Sequence, residues 1–468
     1  MIYSYNLSIF MKKERVIYMT HQEHMNDFDL QQLLMKEQMD QFREHFLAMH
    51  PYDQAQFFIK QPKENRLLIY YFLSPEEIAE IMENIELEET TSYFSEMDPR
   101  FAATVFGQMP ADDAVDILKE LDKNKVASYL TIMDQTAAEE IKDLLHYKEK
   151  TAGSIMTTEY VALLKSLTVR EAMIELKTKA PKAETIYYIY VLDEEDHLVG
   201  VLSLRELIIA DEEQTIEEIM DDHVVSVSVA DDQEEVAQII RDYDFLALPA
   251  VDFQNHLLGI ITVDDILDVI DEEATDDYSK LAGVSDVDKI DGGPLKAAKK
   301  RLPWLIILLF LGMFTASLIG RFETTLEKIP LLAMFIPLIA GMAGNTGTQS
   351  LAVAVRGLAT GDYGEQEKGK LLLREMLTGL ITGTICGALI TLIIYLWYGN
   401  LSLGVLVGIA IMTTLTVATL SGSIIPLIMD RFKIDPAVAS GPFITTINDI
   451  ISILIYFGIA TMFMSLLL

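Results

Sequence analysis

The sequence predicts a multidomain fold: an all-α helical superhelix, a duplicated α/β module, a connector helix and an all-α membrane domain of five helices. Three observations predict it. Five apolar stretches, at about 302–320, 330–355, 376–398, 403–429 and 437–467, match the roughly 20 apolar residues that cross a bilayer. A pattern of residues recurs within 151–272. The charge is split: residues 301–468 hold 9 basic and 9 acidic residues, so the surplus of 35 negative charges lies wholly in residues 1–300. An acidic half repels nucleic-acid phosphates and gains from cations.

The first 25 residues read as a poorly ordered extension. They lack the basic start and apolar core of a signal peptide, and translation from Met19 or Met25 is compatible with the rest. Residues 26–148 read as helices, with apolar positions three and four apart, as in Phe28, Leu30, Leu33 and Leu34. Helix starts are marked at Ser74-Pro75-Glu76-Glu77 and Met109-Pro110-Ala111-Asp112-Asp113. A Met-Asp or Leu-Asp pair closes several similar segments, at Met97-Asp98, Leu121-Asp122 and Met133-Asp134, which suggests a repeated helical unit wound into a superhelix.

Residues 151–210 and 216–272 are two copies of one unit. Ser154-Ile155-Met156 recurs as Glu218-Ile219-Met220, and His197–Leu207 recurs as His256–Ile266. Each copy reads as strand, helix, strand, Gly turn, strand, helix, with buried strands at Ile186–Leu192 and Leu246–Val251. The pattern resembles a tandem pair of CBS domains, which implies one regulatory module. Residues 273–300 run from acidic through Gly292-Gly293-Pro294 to basic and read as a helical connector. Residues 301–468 form the membrane domain.

Basic residues fix the expected orientation. Lys296, Lys299, Lys300, Arg301, Arg356, Lys368, Lys370, Arg374, Arg431 and Lys433 fall on one side, and only Arg321 and Lys328 on the other. The N-terminal 300 residues are therefore expected in the cytoplasm and the C-terminus outside the cell membrane.

Two membrane stretches carry chemistry. Span five holds Asp449, and a carboxylate at that depth needs a partner, a cavity or water. Thr445 shares its helix face, and Gly441 extends that face and permits close approach. Span two holds Gly344-Asn345-Thr346-Gly347-Thr348-Gln349-Ser350, which suits a broken or closely packed helix lining a water-filled path, with Asn345 and Gln349 on one side of it. Outside the membrane, Asp265 and Asp268 share a helix face, Asp276 and Asp277 open the connector, and Asp244 precedes a strand. Carboxylates this dense repel one another, and a divalent cation would relieve them. Cys386 stands alone, no Cys/His zinc spacing is present, and oxygen ligands favour Mg²⁺, Ca²⁺ or Mn²⁺. No nucleophile–base pair suggests an enzyme.

Together these features resemble the MgtE family of magnesium channels over about residues 26–468. GNTGTQS in span two and DPAVASGPFITTINDI in span five are similar to that family's motifs. The resemblance implies a homodimer with a pore on the two-fold axis, lined by spans two and five, in which Asp449 holds a hydrated Mg²⁺. It implies that cytosolic Mg²⁺ closes the pore through Asp244, Asp265, Asp268, Asp276 and Asp277, with Asp112 and Asp116 in the helical domain. Thr445 departs from it, standing where a smaller residue is implied. Two other readings are a membrane-anchored sensor binding ATP at the CBS pair, and a secondary divalent-cation transporter. An anchor has no need of Asp449 or of the polar run in span two.

Overall fold

The computed structural model describes residues 27–284, 293–360, 363 and 365–464. The predicted extension at 1–25 and residues 285–292 of the predicted connector lie outside them. The chain divides into two units, one comprising residues up to 233 with 246–262, the other 234–245 with 263 onward.

The first unit opens with ten helices of 8 to 10 residues, α1 (Asp27–Met35) to α10 (Gln135–Leu144). Helices this short are marginal alone in water, so packing must hold them. From α3 on, alternate helices rest on one another: α3 (Pro51–Ile59) on α5 (Pro75–Glu83), α5 on α7 (Pro99–Phe106), and α7 on α9 (Lys123–Ile132). The layered ladder is the predicted superhelix. Its core is aromatic, with Phe42, Phe46, Phe57, Phe58, Phe94 and Phe106 fully buried. The Ser74 start forms a reciprocal capping box: the Ser74 N–H donates to Glu77 Oε2 at 2.8 Å, and the Glu77 N–H to Ser74 Oγ at 3.3 Å. The recurring Asp opens the next helix rather than closing the last one. Asp98, Asp122 and Asp134 accept the N–H groups of Arg100, Asn124 and Thr136 at 2.9, 2.9 and 3.1 Å, because a short carboxylate reaches the orphan donors of a first turn. Each such cap contributes about 1 kcal/mol.

The duplicated module follows. Repeat one is β1 (Ala162–Leu164), α11 (Val169–Lys179), β2 (Tyr188–Leu192), β3 (Leu198–Ser203) and α12 (Leu204–Ile209). After α13 (Ile216–Ile219), repeat two runs β4 (Val227–Ser228), α14 (Gln233–Tyr243), β5 (Ala247–Val251) and β6 (Leu257–Thr262). Both sheets have the central strand parallel to the first and antiparallel to the last, with an irregularity at the same place, Val191/Leu192 and Ala250/Val251. Tyr190, Leu198, Ala247, Val251, Leu257 and Ile260 form one shared core, so neither sheet is buried without the other. His197 and His256 stack across the repeats with centroids 4.8 Å apart.

The predicted Gly turn is not in the turn. Asp196 and Asn255 take the left-handed conformation there, at φ 65° and 69°, while Gly200 and Gly259 lie within β3 and β6. A Cβ at Gly259 would stand 2.9 Å from the Met156 sulfur, and one at Gly200 would collide with Met220. Each repeat's leading Met thus covers the other repeat's glycine, which accounts for the recurrence of Met and Gly together.

Carboxylates gather where α5 meets the first repeat. Burial, then Glu80, Glu184 and Glu159, push the Glu83 carboxyl up to about 7. A folded value above the usual 4.5 means that ionising Glu83 costs stability fully above about pH 7, and that this cost fades as pH falls toward 4.5. Glu83→Gln should therefore stabilise the protein near neutral and alkaline pH, by about 1 kcal/mol once solvent screening of this partly exposed group is counted. Thermal unfolding of both proteins in alkaline and in mildly acidic buffer checks this. An equal effect in the two buffers would contradict it.

The second unit carries α15 (Val263–Ala282), α16 (Gly293–Gly320), α17 (Glu323–Lys328), α18 (Ile336–Ala359), α19 (Glu365–Tyr398), α20 (Leu401–Arg431) and α21 (Gly441–Met462). Among the described residues five helices are long and apolar enough to cross a membrane: α16, α18 with its lead-in from Pro330, α19, α20 and α21. Helix α20 packs on α18, α19 and α21 and is the most buried, whereas the most apolar stretch of α16 is wholly unburied, as suits lipid. Tyr456 is buried in the α21 interface, and its hydroxyl donates to the Leu332 carbonyl at 2.9 Å.

The predicted connector, 273–300, shares a helix with the end of the second repeat. Helix α15 starts at Val263, because nothing in Val263–Ala282 breaks a helix before Gly283 at φ +71°. The basic run at its far end belongs to α16, whose second residue is Pro294, a position where the missing N–H costs nothing.

Candidate functional site

The site is built where α18 and α21 cross. Pro337 and Pro442 stand in the first turns of the two helices, and Ser440 caps α21 by accepting the Phe443 N–H at 3.4 Å. Span two is not broken: α18 is continuous, and its glycines serve close packing. A Cβ on Gly344 would lie 2.7 Å from Thr445 Cγ2, so this glycine makes room for the larger residue one turn before Asp449. A Cβ on Gly347 would overlap the Asn448 amide. Thr348 Oγ1 and Thr445 Oγ1 are 3.3 Å apart.

Asn448 is 1% exposed. Its Oδ1 accepts from Ser421 Oγ of α20, while its Nδ2 has no hydrogen-bond partner among the described residues. Asp449, the next residue, is half-buried. No hydrogen bond or ion pair reaches its carboxylate among the described residues, although its carbonyl accepts from Ser452 at 2.8 Å. Gly441 is buried at the start of α21, and a Cβ there would lie 3.3 Å from the Leu281 carbonyl of α15. Asn345 and Gln349 are exposed on the single chain and do not join Thr348, Thr445 and Asn448.

The connector reaches this site. Leu281 packs on a cluster of Leu351, Val355, Ala437, Ala439 and Ile444, at one end of α18 and α21. Gly283 abuts Pro442, with 3.3 Å from its would-be Cβ to Pro442 Cγ. Lys280 Nζ bridges Asp276 Oδ2 at 2.8 Å and Asp435 Oδ2 at 2.5 Å, and Asp435 Oδ1 accepts the Ala437 N–H at 2.8 Å. Burial works against the Lys280 charge, but the hydrogen bonds it donates to Asp276 and Asp435 outweigh that and hold the ammonium above its usual range. Burial and then Asp435 push the Asp277 carboxyl up. Burial, Asp271 and Asp264 do the same to Asp268.

Four of the expected regulatory carboxylates, Asp265, Asp268, Asp276 and Asp277, thus lie on α15. Asp244 is exposed just after α14 with φ 54°. Asp112 and Asp116 lie in the first unit on α8 (Ala111–Lys119). There Asp116 takes Lys119 at 3.1 Å, and burial raises its carboxyl against that lysine. Sequence reasoning missed Asp435, Lys280 and Ser421. Asp435 had a legible signal, an Asp-Pro start ahead of a helix, whereas the other two are polar residues whose partners lie far along the chain.

A half-buried carboxylate on one of five apolar helices of membrane-spanning length, with an acidic helix seated at one end of the α18–α21 crossing, points to a multi-pass cation transporter. Comparison with known proteins agrees. The family model for the divalent cation transporter MgtE matches 336–459, that for the MgtE intracellular N domain matches 49–150, and CBS domains match 152–213 and 216–272. The chain is 54% identical over 437 residues to the magnesium transporter MgtE of Enterococcus faecalis, covering 93% of this chain and 96% of that one. With MgtE of Thermus thermophilus it shares 37% over 436 residues, covering 92% and 97%. A crystal structure of the soluble part of a magnesium transporter is 51% identical, with TM-score 0.52, 53% of this chain and 98% of that chain covered. That of the cytosolic domain of the Mg²⁺ channel MgtE in complex with ATP is 38% identical, with TM-score 0.50, 52% and 100% covered. The chain belongs to the MgtE family of magnesium transporters.

Gly347→Ala should therefore disturb the α18–α21 crossing, costing about 1–3 kcal/mol as overpacking does. Gly341→Ala is the control, since a Cβ there meets nothing within 4 Å. Thermal unfolding of the two variants in detergent checks this, and equal stability would refute the close approach.

Proposed function

We propose that the protein is a homodimeric channel that carries Mg²⁺ into the cytoplasm and is shut when cytosolic Mg²⁺ rises. The single observation that carries the reading is Asp449, a half-buried carboxylate at membrane depth to which no side chain of its own chain is bound among the described residues. Such a group is stable only against water, an ion or a second chain. Exposed Asn345 and Gln349 in α18 make the same demand. A two-fold axis beside α18 and α21 would meet it, placing two Asp449 carboxylates on one path. Mg²⁺ sheds water reluctantly and is usually held by one or two carboxylates with waters kept. Two such side chains with neighbouring threonine oxygens suit that substrate. This is conduction, with no enzymatic step. The bias of basic residues supports a cytoplasmic N-terminal half.

The regulatory ion fits the donor set at the connector. Asp276, Asp277 and Asp435 are hard oxygen ligands, and burial together with Asp435 already disfavours an ionised Asp277. A divalent cation held there would relieve that repulsion and fasten α15 to the start of α21. A second ligand is favoured by a cavity of about 470 Å³ in the first unit, lined by Tyr187, Tyr188, Ser203, Arg205, Ile208 and Leu246. Aromatic and aliphatic walls with one arginine suit an adenosine nucleotide, and the similar cytosolic domain was solved with ATP.

Asp449→Ala should abolish Mg²⁺ uptake into proteoliposomes while leaving a folded protein, since it removes a desolvated charge and little packing. Wild-type uptake by the folded variant would sink the pore assignment. Asp276→Asn with Asp277→Asn should keep conducting at cytosolic-side Mg²⁺ that shuts the wild type. An unchanged closing concentration would place the sensor elsewhere.

A further inference from the structure

Helix α19 lines no part of the proposed path, yet it sends one carboxyl into the centre of the bundle. Glu375 is 7% exposed. Its Oε2 accepts from Ser350 Oγ at 3.0 Å. Ser350 is the last residue of the polar run in α18 and is 2% exposed. Its hydroxyl also lies 2.7 Å from the Thr419 carbonyl and 2.7 Å from Ser423 Oγ, both on α20. One hydroxyl of the path-lining helix therefore ties together three helices. The other carboxyl oxygen, Oε1, faces the half-exposed Arg374 guanidinium at 3.5 Å, too long for a strong hydrogen bond.

The position of this knot matters. Ser350 precedes Leu351, a member of the cluster on which Leu281 of the connector rests. Five residues before Ser350, Asn345 begins the exposed polar side of α18. The knot thus holds α18 between its polar stretch and its contact with the connector. A Cβ at Gly422 of α20 would stand 3.0 Å from Ser350 Cβ. The backbones there are close, and a small shift of α18 has nowhere to dissipate.

We infer that Glu375 is a positioning residue for conduction, acting through Ser350 to fix the rotation and depth of α18 where the connector seats. The inference rests on the proposed path along α18 and α21. The hydrogen-bond inventory says what the group must be. Ser350 has one proton, and it faces the Thr419 carbonyl, which only accepts, as well as the carboxyl. A side chain of the same shape with an N–H to offer fills this place at least as well, so Glu375→Gln should restore what Glu375→Ala loses.

The test measures Mg²⁺ uptake per folded protein in proteoliposomes, with the cytosolic side free of Mg²⁺. Glu375→Ala should fall at least tenfold below wild type, and Glu375→Gln should stay within about twofold of it. Uptake by Glu375→Ala within twofold of wild type overturns the inference, as does a Glu375→Gln protein no better than Glu375→Ala, which would mean that the charge itself is used. Should Glu375→Ala not fold, Ser350→Ala takes its place with the same tenfold expectation, and wild-type uptake by it overturns the inference. A thermal-unfolding cycle of Ser350→Ala, Glu375→Ala and the double variant reads the contact without any flux. Non-additive shifts support the knot and additive ones refute it, and this holds even if the wild type proves not to conduct. A wild type without uptake contradicts the channel reading, not the contact.

Discussion

A carboxylate at membrane depth constrains everything around it. Asp449 cannot face lipid, because the cost of an unpaired charge there runs to several kcal/mol. The helix that carries it has no other charged residue, and its polar side chains Thr445 and Asn448 lie against α18. Helix α18 receives them, with Thr348 beside Thr445 and with glycines where Thr445 and Asn448 press against it. The buried Asn448 amide in turn draws Ser421 of α20 into the site. Three of the five membrane helices are thus committed by one acid and its neighbour.

The same electrostatic reasoning extends to the connector, on the aqueous side. Helix α15 carries acids along its length and ends with Lys280 between Asp276 and Asp435. The Lys280 ammonium already does part of what a divalent cation would do, which is to hold the connector against the start of α21. Asp277 is left with burial and Asp435 against it. The gate proposed above would need about 5.5 kcal/mol of differential binding to move from 1:99 to 99:1, and a few carboxylates relieved by one ion are of that order.

Much of this was legible in the sequence because it rests on period and length. The spans, the Ser74 capping box and the duplicated strands all follow from local pattern. Asp449 stood out because no other charge interrupts its apolar stretch. What was not legible depends on the third dimension. Gly200 and Gly259 read as turn residues until their partners, Met220 and Met156, were seen to sit on them from the opposite repeat. The connector does not begin with a new helix, because the backbone has no breaker between the end of the second repeat and Gly283, and α15 runs through residue 272. Glu375 was passed over because it lies at the edge of an apolar stretch, beside Arg374, where a surface pair is the ordinary expectation. Only the contact with Ser350, itself bound to Ser423, reveals it as buried. Asn345 and Gln349 are four apart and share one exposed side of α18, as their spacing implies, while Thr348 turns toward α21.

The central claim is that Asp449 holds the permeating ion between α18 and α21. Anomalous diffraction from crystals of the full-length protein grown with Mn²⁺, a hard divalent stand-in for Mg²⁺, tests it most directly. The account predicts an anomalous peak beside the Asp449 carboxylates that vanishes in Asp449→Asn. Peaks confined to the connector and the acids of the N-terminal half, with none at Asp449, would contradict it.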